Sequence, residues 1–181
     1  SKVFFTNSGT EAAEASLKLI RKYFGPDKKI ITFSNAFHGR TYGSLSLSGK
    51  DKYKKNYSPL LPNIFQLEFN DVGQIENIVD SNTAAVYIEL VQGEGGIKVA
   101  SHQFAQKIVE LRAKFGFSLI ADEVQSGIGR TGLPFAYNHY KIEPDLVIIA
   151  KSIGGGLPLG ALITNKKYEN GLYKQADSLY R

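Results

Sequence analysis

The sequence predicts an α/β fold built on a mostly parallel sheet flanked by helices. Three observations predict it. Short β-prone runs alternate along the chain with segments of helical periodicity. Polar motifs fall repeatedly where the apolar runs stop, as they do at strand ends in such folds. At 181 residues, with 43% hydrophobic and 22% charged residues, the chain is long enough and apolar enough for one core. No internal repeat, low-complexity tract or linker divides it, so one domain is expected.

Val3-Phe4-Phe5 is the first β-prone run. Ser8 with Glu11 three residues later reads as a capping box, after which Ala13, Leu17, Ile20 and Phe24 recur at helical spacing until Gly25-Pro26 stops the helix. A strand therefore turns through Ser8-Gly9-Thr10 into a helix N-terminus whose unpaired amides and dipole suit a phosphate. An N-cap with no further role fits the same residues. Residues 29–33 form the next strand and lead into Asn35-Ala36-Phe37-His38-Gly39-Arg40-Thr41. There Phe37 suits stacking on a flat ligand and Arg40 suits clamping a carboxylate. Residues 64–69 alternate as a strand, and Ile75 with Ile78-Val79 marks a helix. Residues 84–91 read as a longer, more buried strand that ends in Gln92-Gly93-Glu94-Gly95-Gly96, which puts Glu94 on a tight loop.

Phe104, Ile108, Leu111 and Phe115 mark a helix closed by Gly116, and residues 117–121 form the next strand. Asp122-Glu123-Val124-Gln125 stands directly at its end. Residues 144–150 form another strand, followed by Lys151-Ser152-Ile153-Gly154-Gly155-Gly156, and residues 159–163 form one more. Lys151 leaves a buried strand for a flexible turn, where partial desolvation would favour a nucleophilic amine able to form a Schiff base. A strand-end lysine with its head in solvent fits the same stretch.

Composition removes several chemistries. The absence of cysteine excludes disulfides and thiolate metal sites, and His38, His102 and His139 show no ligand spacing, so no metal is expected. No window is apolar enough for long enough to span a bilayer, and the first six residues are too short and too polar for a signal peptide, so a cytoplasmic address without a membrane partner is expected. The net charge of +5 raises the question of a polyanion, and Lys50, Lys52, Lys54 and Lys55 interleave with Tyr53 and Tyr57. Four lysines outside any nucleic-acid motif read as a solvated charged face, so no nucleic-acid partner is expected.

Two nucleotide motifs need testing. Gly127-Ile128-Gly129-Arg130-Thr131-Gly132 matches the dinucleotide pattern, but five residues separate it from the preceding strand and Pro134 interrupts the helix that should follow. Lys151-Ser152 lacks the glycine that a phosphate-binding P-loop places before its lysine. A dinucleotide-dependent oxidoreductase and a nucleic-acid-binding module thus stand only as remote alternatives.

What remains is a set of strand-end groups: Ser8-Gly9-Thr10 for an anion, Phe37 for an aromatic face, Asp122 for a buried cation and Lys151 for a carbonyl. Pyridoxal 5'-phosphate needs that combination. Asn7-Ser8-Gly9-Thr10-Glu11-Ala12, Phe37-His38-Gly39-Arg40-Thr41, Gln92-Gly93-Glu94-Gly95-Gly96, Asp122-Glu123-Val124-Gln125, Gly129-Arg130-Thr131-Gly132 and Ala150-Lys151 with its glycines occur in this order over nearly the whole chain. In this the chain resembles the large domain of class III pyridoxal-phosphate-dependent aminotransferases, the ornithine, acetylornithine and 4-aminobutyrate aminotransferase group. Its glycine-rich motifs are most similar to those of acetylornithine aminotransferases.

The resemblance implies the large-domain fold of fold-type I pyridoxal-phosphate enzymes. It implies that Lys151 forms the Schiff base with the cofactor and then moves the substrate Cα proton, and that Asp122 pairs with the pyridinium nitrogen. Val124 and Phe37 would flank the ring, Gln125 would lie near the phenolic oxygen, and Ser8, Gly9 and Thr10 would bind the phosphate. Arg40 would take the substrate α-carboxylate. Glu94 would pair with an arginine of a C-terminal domain and help the site accept two differently charged substrates. An ornithine-type donor such as N-acetylornithine and a 2-oxo acid such as 2-oxoglutarate are the implied substrates, with ornithine or 4-aminobutyrate as alternative donors. Ala13 stands where the family often has asparagine, and Leu90 where proline usually follows the glutamate. The family's N-terminal segment, C-terminal small domain and partner-reaching threonine have no recognisable copy. The expectation is therefore a partial large domain over 1–181, inactive or catalytically poor alone and homodimeric in full-length form.

Overall fold

The computed structural model describes residues 1–168. A seven-stranded sheet organises them, and its strand order is β1 (Lys2–Thr6), β9 (Gly160–Thr164), β8 (Leu146–Ile149), β7 (Ser118–Asp122), β4 (Thr83–Ile88), β2 (Lys29–Phe33) and β3 (Ile64–Leu67). The pairs β2 with β3, β2 with β4, β4 with β7 and β7 with β8 run parallel. Strand β9 runs antiparallel to both β8 and β1. The mostly parallel sheet agrees with the expectation, and the reversal of β9 restores β1 to the direction of β8. The C-terminal ends of β1, β2, β4, β7 and β8 consequently share one edge of the sheet.

Successive residues of the central strands point to opposite faces and so belong to different cores. Ile31, Val86 and Leu119 pack with Phe104, Ile108 and Leu111 of α5 (His102–Phe115) and with Ile75 of α4 (Val72–Ile78). Ile30, Tyr87 and Ile120 pack on the other side with Ala12, Ala13, Leu17 and Ile20 of α1 (Gly9–Phe24). The alanines of α1 let its backbone lie close to the sheet, and each fully buried leucine or isoleucine contributes about 2 kcal/mol.

Helix ends follow local chemistry. Ser8 accepts the Glu11 N–H at 3.2 Å, while the Glu11 carboxylate reaches back to the Asn7 N–H at 2.7 Å rather than to that of Ser8. The predicted capping box is thus displaced by one residue on its return arm. Ser101 caps α5 through the Phe104 N–H, and Gly116 closes it in a left-handed conformation at φ 77°. Asp145, buried before β8, accepts from the Leu119 N–H at 2.9 Å, Arg112 of α5 at 3.0 Å and the Asn165 side chain at 3.0 Å, which locks α5, β7 and the end of β9 together.

Three expected strands are shorter in the structure: of 144–150 only Leu146–Ile149 joins the sheet, and two others end early. The run 64–69 leaves the sheet after Leu67, because Phe69 turns into the core against Phe33 and Phe104. The run 84–91 leaves it after Ile88, where Glu89 turns toward the sheet edge, and Val91–Gln92 (β5) pairs instead with Lys98–Val99 (β6). Among the described residues, no helix is long and apolar enough to cross a membrane.

Candidate functional site

The shared C-terminal edge carries a cleft of about 330 Å³. Strand β1 delivers Asn7, Ser8, Gly9 and Thr10 to it, the loop after β2 delivers Phe37 and His38, and the end of β4 delivers Glu89. Asp122, Val124 and Gln125 come from the end of β7, Lys151 from the end of β8, and Leu157, Pro158 and Leu159 from the turn before β9. Residues up to 152 positions apart in sequence meet there because parallel strands stack their loops on one side.

The N-terminus of the 16-residue α1 opens onto this cleft. The Ser8 Oγ accepts the Glu11 N–H, which leaves its own O–H to donate outward. Capping and anion binding are therefore compatible roles for one hydroxyl. Gly9 is required by packing: a Cβ there would lie 2.8 Å from Val124 Cγ2. Gly93 is required in the same way, since its Cβ would meet Gln125 Cγ at 2.9 Å. Two glycines, one at the start of α1 and one in the loop after β5, thus seat Val124 and Gln125.

Asp122 is buried, and both of its oxygens have partners. Oδ1 accepts the Val124 N–H at 3.0 Å, and Oδ2 faces His38 Nδ1 at 2.7 Å. Burial lowers the His38 pKa, but the Asp122 hydrogen bond, the Asp122 charge and the Glu89 charge outweigh it and hold the imidazole above its usual 6.5. The His38 Nε2 is buried with no hydrogen-bond partner among the described residues. Glu89 is 3% exposed, accepts the Phe37 N–H at 2.9 Å, and is pushed up to about 7, chiefly by burial against the opposing pull of His38. Glu123 points away from the cleft, and its carboxylate accepts from Ser126 Oγ and from the Ala136 and Tyr137 N–H groups, which pins the following loop.

Lys151 opens a 3-10 turn, Lys151–Gly154, with φ at 50°, a left-handed conformation uncommon outside glycine. Its side chain is exposed, so the partial desolvation expected from sequence is not provided by this chain. Arg40 and Glu94 do not line the cleft. The Arg40 guanidinium lies 5.8 Å from the Phe37 ring centroid and 5.2 Å from that of Tyr53 in α3 (Asp51–Lys54), just outside the aromatic wall. Glu94 is exposed between β5 and β6, and its backbone carbonyl accepts from Lys50 Nζ. The lysine-rich segment is therefore short helix α3 packed by Tyr53 onto Phe37, at 5.8 Å between rings. The Gly127 to Gly132 stretch forms turns ahead of a 3-10 helix at Ala136–Tyr140 and has no helix N-terminus behind it, unlike a dinucleotide loop.

Sequence reasoning gave no role to His38 or Glu89. His38 had a signal, since it sits inside the strand-end motif Phe37 to Thr41. Glu89 had one too, as the lone acid in the apolar run 84–91.

The family model for class III aminotransferases (Aminotransferase class-III) matches residues 1–175. The chain belongs to the class III aminotransferase family. Among relatives of this class III chain, the acetylornithine aminotransferase of Aquifex aeolicus is 47% identical over 170 residues, covering 92% of this chain and 45% of the relative. The succinylornithine transaminase of Salmonella newport is 46% identical over 172 residues, covering 92% and 42%. A solved structure of ornithine aminotransferase from Toxoplasma gondii, described with partial occupancy of PLP at its active site, superposes with a TM-score of 0.88 at 32% identity, covering 95% of this chain and 42% of that one. The class III chain thus spans less than half the length of the curated relatives it matches.

Proposed function

We propose that this chain is the cofactor-binding part of a pyridoxal-phosphate-dependent aminotransferase. Its amino donor is of the ornithine type, N-acetylornithine first, and its acceptor is a 2-oxo acid such as 2-oxoglutarate. The observation that carries the reading is the meeting of Lys151, Asp122, Phe37 and the Ser8 to Thr10 helix N-terminus in one cleft. The residues fit the cofactor. The glycine-seated α1 terminus offers amides and hydroxyls to a phosphate, and Asp122 is held from behind by His38 and Val124 so that its remaining lone pairs face the cleft.

Bound pyridoxal phosphate supplies an aldehyde that captures amines and a ring that takes up the electrons released at the substrate Cα. In this reading Ser8, Gly9 and Thr10 hold the phosphate, and Val124 and Phe37 enclose the ring. Gln125 would lie near the phenolic oxygen, and Asp122 would keep a proton on the ring nitrogen. Lys151 would offer its amine to the cofactor's aldehyde, and the same amine would serve as the base that holds the substrate Cα proton and the acid that returns it. Arg40, steadied between Phe37 and Tyr53, grips the substrate carboxylate at the mouth of the cleft. Glu94 answers a cation contributed from outside this chain.

The lengths of the relatives support a longer polypeptide. In this reading it carries an N-terminal segment and a C-terminal small domain beyond this large domain and works as a homodimer in the cytoplasm. The exposure of Lys151 supports the same view, because a covering element would dry the amine. The test uses the full-length protein: add pyridoxal phosphate, reduce with borohydride and locate the modified residue by mass spectrometry. Labelling at Lys151 is expected, and labelling elsewhere or nowhere overturns the mechanism. Turnover with N-acetylornithine, succinylornithine, ornithine and 4-aminobutyrate, compared at equal enzyme, then ranks the donors.

A further inference from the structure

Glu89 is an expensive residue for its place. A loop N–H can be satisfied by a neutral oxygen, whereas a carboxylate at 3% exposure carries a desolvation cost that a neutral acceptor would avoid. Strand β4 ends one residue earlier, at Ile88, and the released side chain enters the cleft. Its Oε2 accepts the Phe37 N–H at 2.9 Å across 52 positions of sequence. The next residue is held twice more, by the His38 N–H on Ser48 Oγ at 3.0 Å and by His38 Nδ1 on Asp122 at 2.7 Å.

We propose that Glu89 is a positioning residue: its carboxylate clamps the Phe37-His38 segment onto the end of β4, and through that segment holds both the aromatic wall and the imidazole that grips Asp122. The proposal rests on the cofactor reading of the cleft, but its first readout needs no cofactor. The charged groups facing Glu89 are His38 from the loop after β2, Asp122 from the end of β7 and Lys151 from the end of β8. Those facing His38 are Asp122, Glu89 and Lys54 of α3, with the Tyr87 ring edge-on at 5.9 Å. Glu89, raised to about 7, and His38, raised above 6.5, hold protons near neutrality, so one proton gained or lost there changes the charge behind Asp122.

The test compares wild type with Glu89→Gln, Glu89→Asp and Glu89→Ala in the full-length protein. The His38 imidazole, assigned by the signal that a His38→Asn variant loses, can be followed by NMR through a pH titration of the cofactor-free form. Glu89→Gln keeps an acceptor for the Phe37 N–H but loses the charge, so the His38 midpoint falls while pyridoxal phosphate affinity changes less than about threefold. Glu89→Asp keeps the charge but withdraws the acceptor, so the midpoint stays high and affinity drops about tenfold; Glu89→Ala loses both. An unmoved His38 midpoint in Glu89→Gln, or undiminished affinity in Glu89→Asp, overturns the proposal. Should Glu89→Ala fail to fold, the other two variants still decide it. If wild type binds no pyridoxal phosphate, the functional reading fails, while the His38 midpoint still judges the link between Glu89 and His38.

Discussion

His38 Nδ1 lies 2.7 Å from Asp122 Oδ2, with the two side chains 0% and 4% exposed and 84 positions apart in the chain. Such a pair is costly to assemble and more costly to break, because removing one partner strands the other charge in a dry interior. It immobilises Asp122 from behind.

His38→Ala is accordingly expected to destabilise the protein by about 3–5 kcal/mol. His38→Asn, whose amide can still donate to Asp122, should recover part of that loss. Urea unfolding measures both, and an alanine variant as stable as wild type would show that the pair carries no weight.

Lys151 separates chemistry from stability. It is exposed, so Lys151→Ala should change stability by no more than about 0.5 kcal/mol. Transaminase turnover of the full-length protein should fall at least about a thousandfold if the residue has the proposed roles of nucleophile and base. Comparable turnover in this variant would remove Lys151 from the mechanism.

Gly9→Ala probes the seating of Val124. The new methyl would stand 2.8 Å from Val124 Cγ2, so either the side chain or the start of α1 must shift. Overpacking of this kind costs about 1–3 kcal/mol. The double variant Gly9→Ala with Val124→Ala should regain most of it. Thermal unfolding reads the stability, and failure of the second change to rescue the first would place the strain elsewhere.

Glu89 and His38 also set a pH dependence. Glu89 holds its proton to about 7 in the fold against an ordinary 4.5, and His38 is raised above 6.5. Across this window the folded chain binds more protons than the unfolded one, so stability present at lower pH is lost as pH rises through the folded values. Glu123, raised first by burial, acts in the same direction. Urea midpoints of the cofactor-free protein should fall between about pH 5 and pH 8, with a shallower slope in Glu89→Gln. A midpoint that climbs over this interval contradicts the assignment.

Asp145 provides a control away from the cleft. It joins Arg112, the Leu119 N–H and Asn165, so Asp145→Ala should cost about 3–5 kcal/mol. Pyridoxal phosphate affinity, measured at a temperature where the variant remains folded, should change little. A large loss of affinity at full stability would mean that α5 and β8 communicate with the cleft.

Much of this was legible before any coordinates. Alternating strand and helix patterns gave the class of fold, because burial on both faces of a parallel sheet leaves apolar runs and the intervening helices leave their 3.6-residue period. The Ser8 cap, the Gly116 stop and the strand-end positions of Asp122 and Lys151 are local, and local chemistry decides them. The ends of β3 and β4 were not legible, since Phe69 and Glu89 leave the sheet for distant partners that no nearby residue announces.

The sequence alone determined the main strands and helices, their order and the chemistry offered at each strand end, but not the short helix α3 or the β5–β6 pair. Tertiary structure decided which offers meet. It put Phe37, Asp122 and Lys151 around one cleft, left Arg40 at its margin and Glu94 outside, and brought in His38 and Glu89. The physical reason is that a side chain's environment depends on which strands become neighbours. Register and crossover fix those neighbours over separations of 52 to 84 positions, and only there does burial raise the glutamate, and a carboxylate partner raise the histidine against burial, so that both hold protons near neutrality.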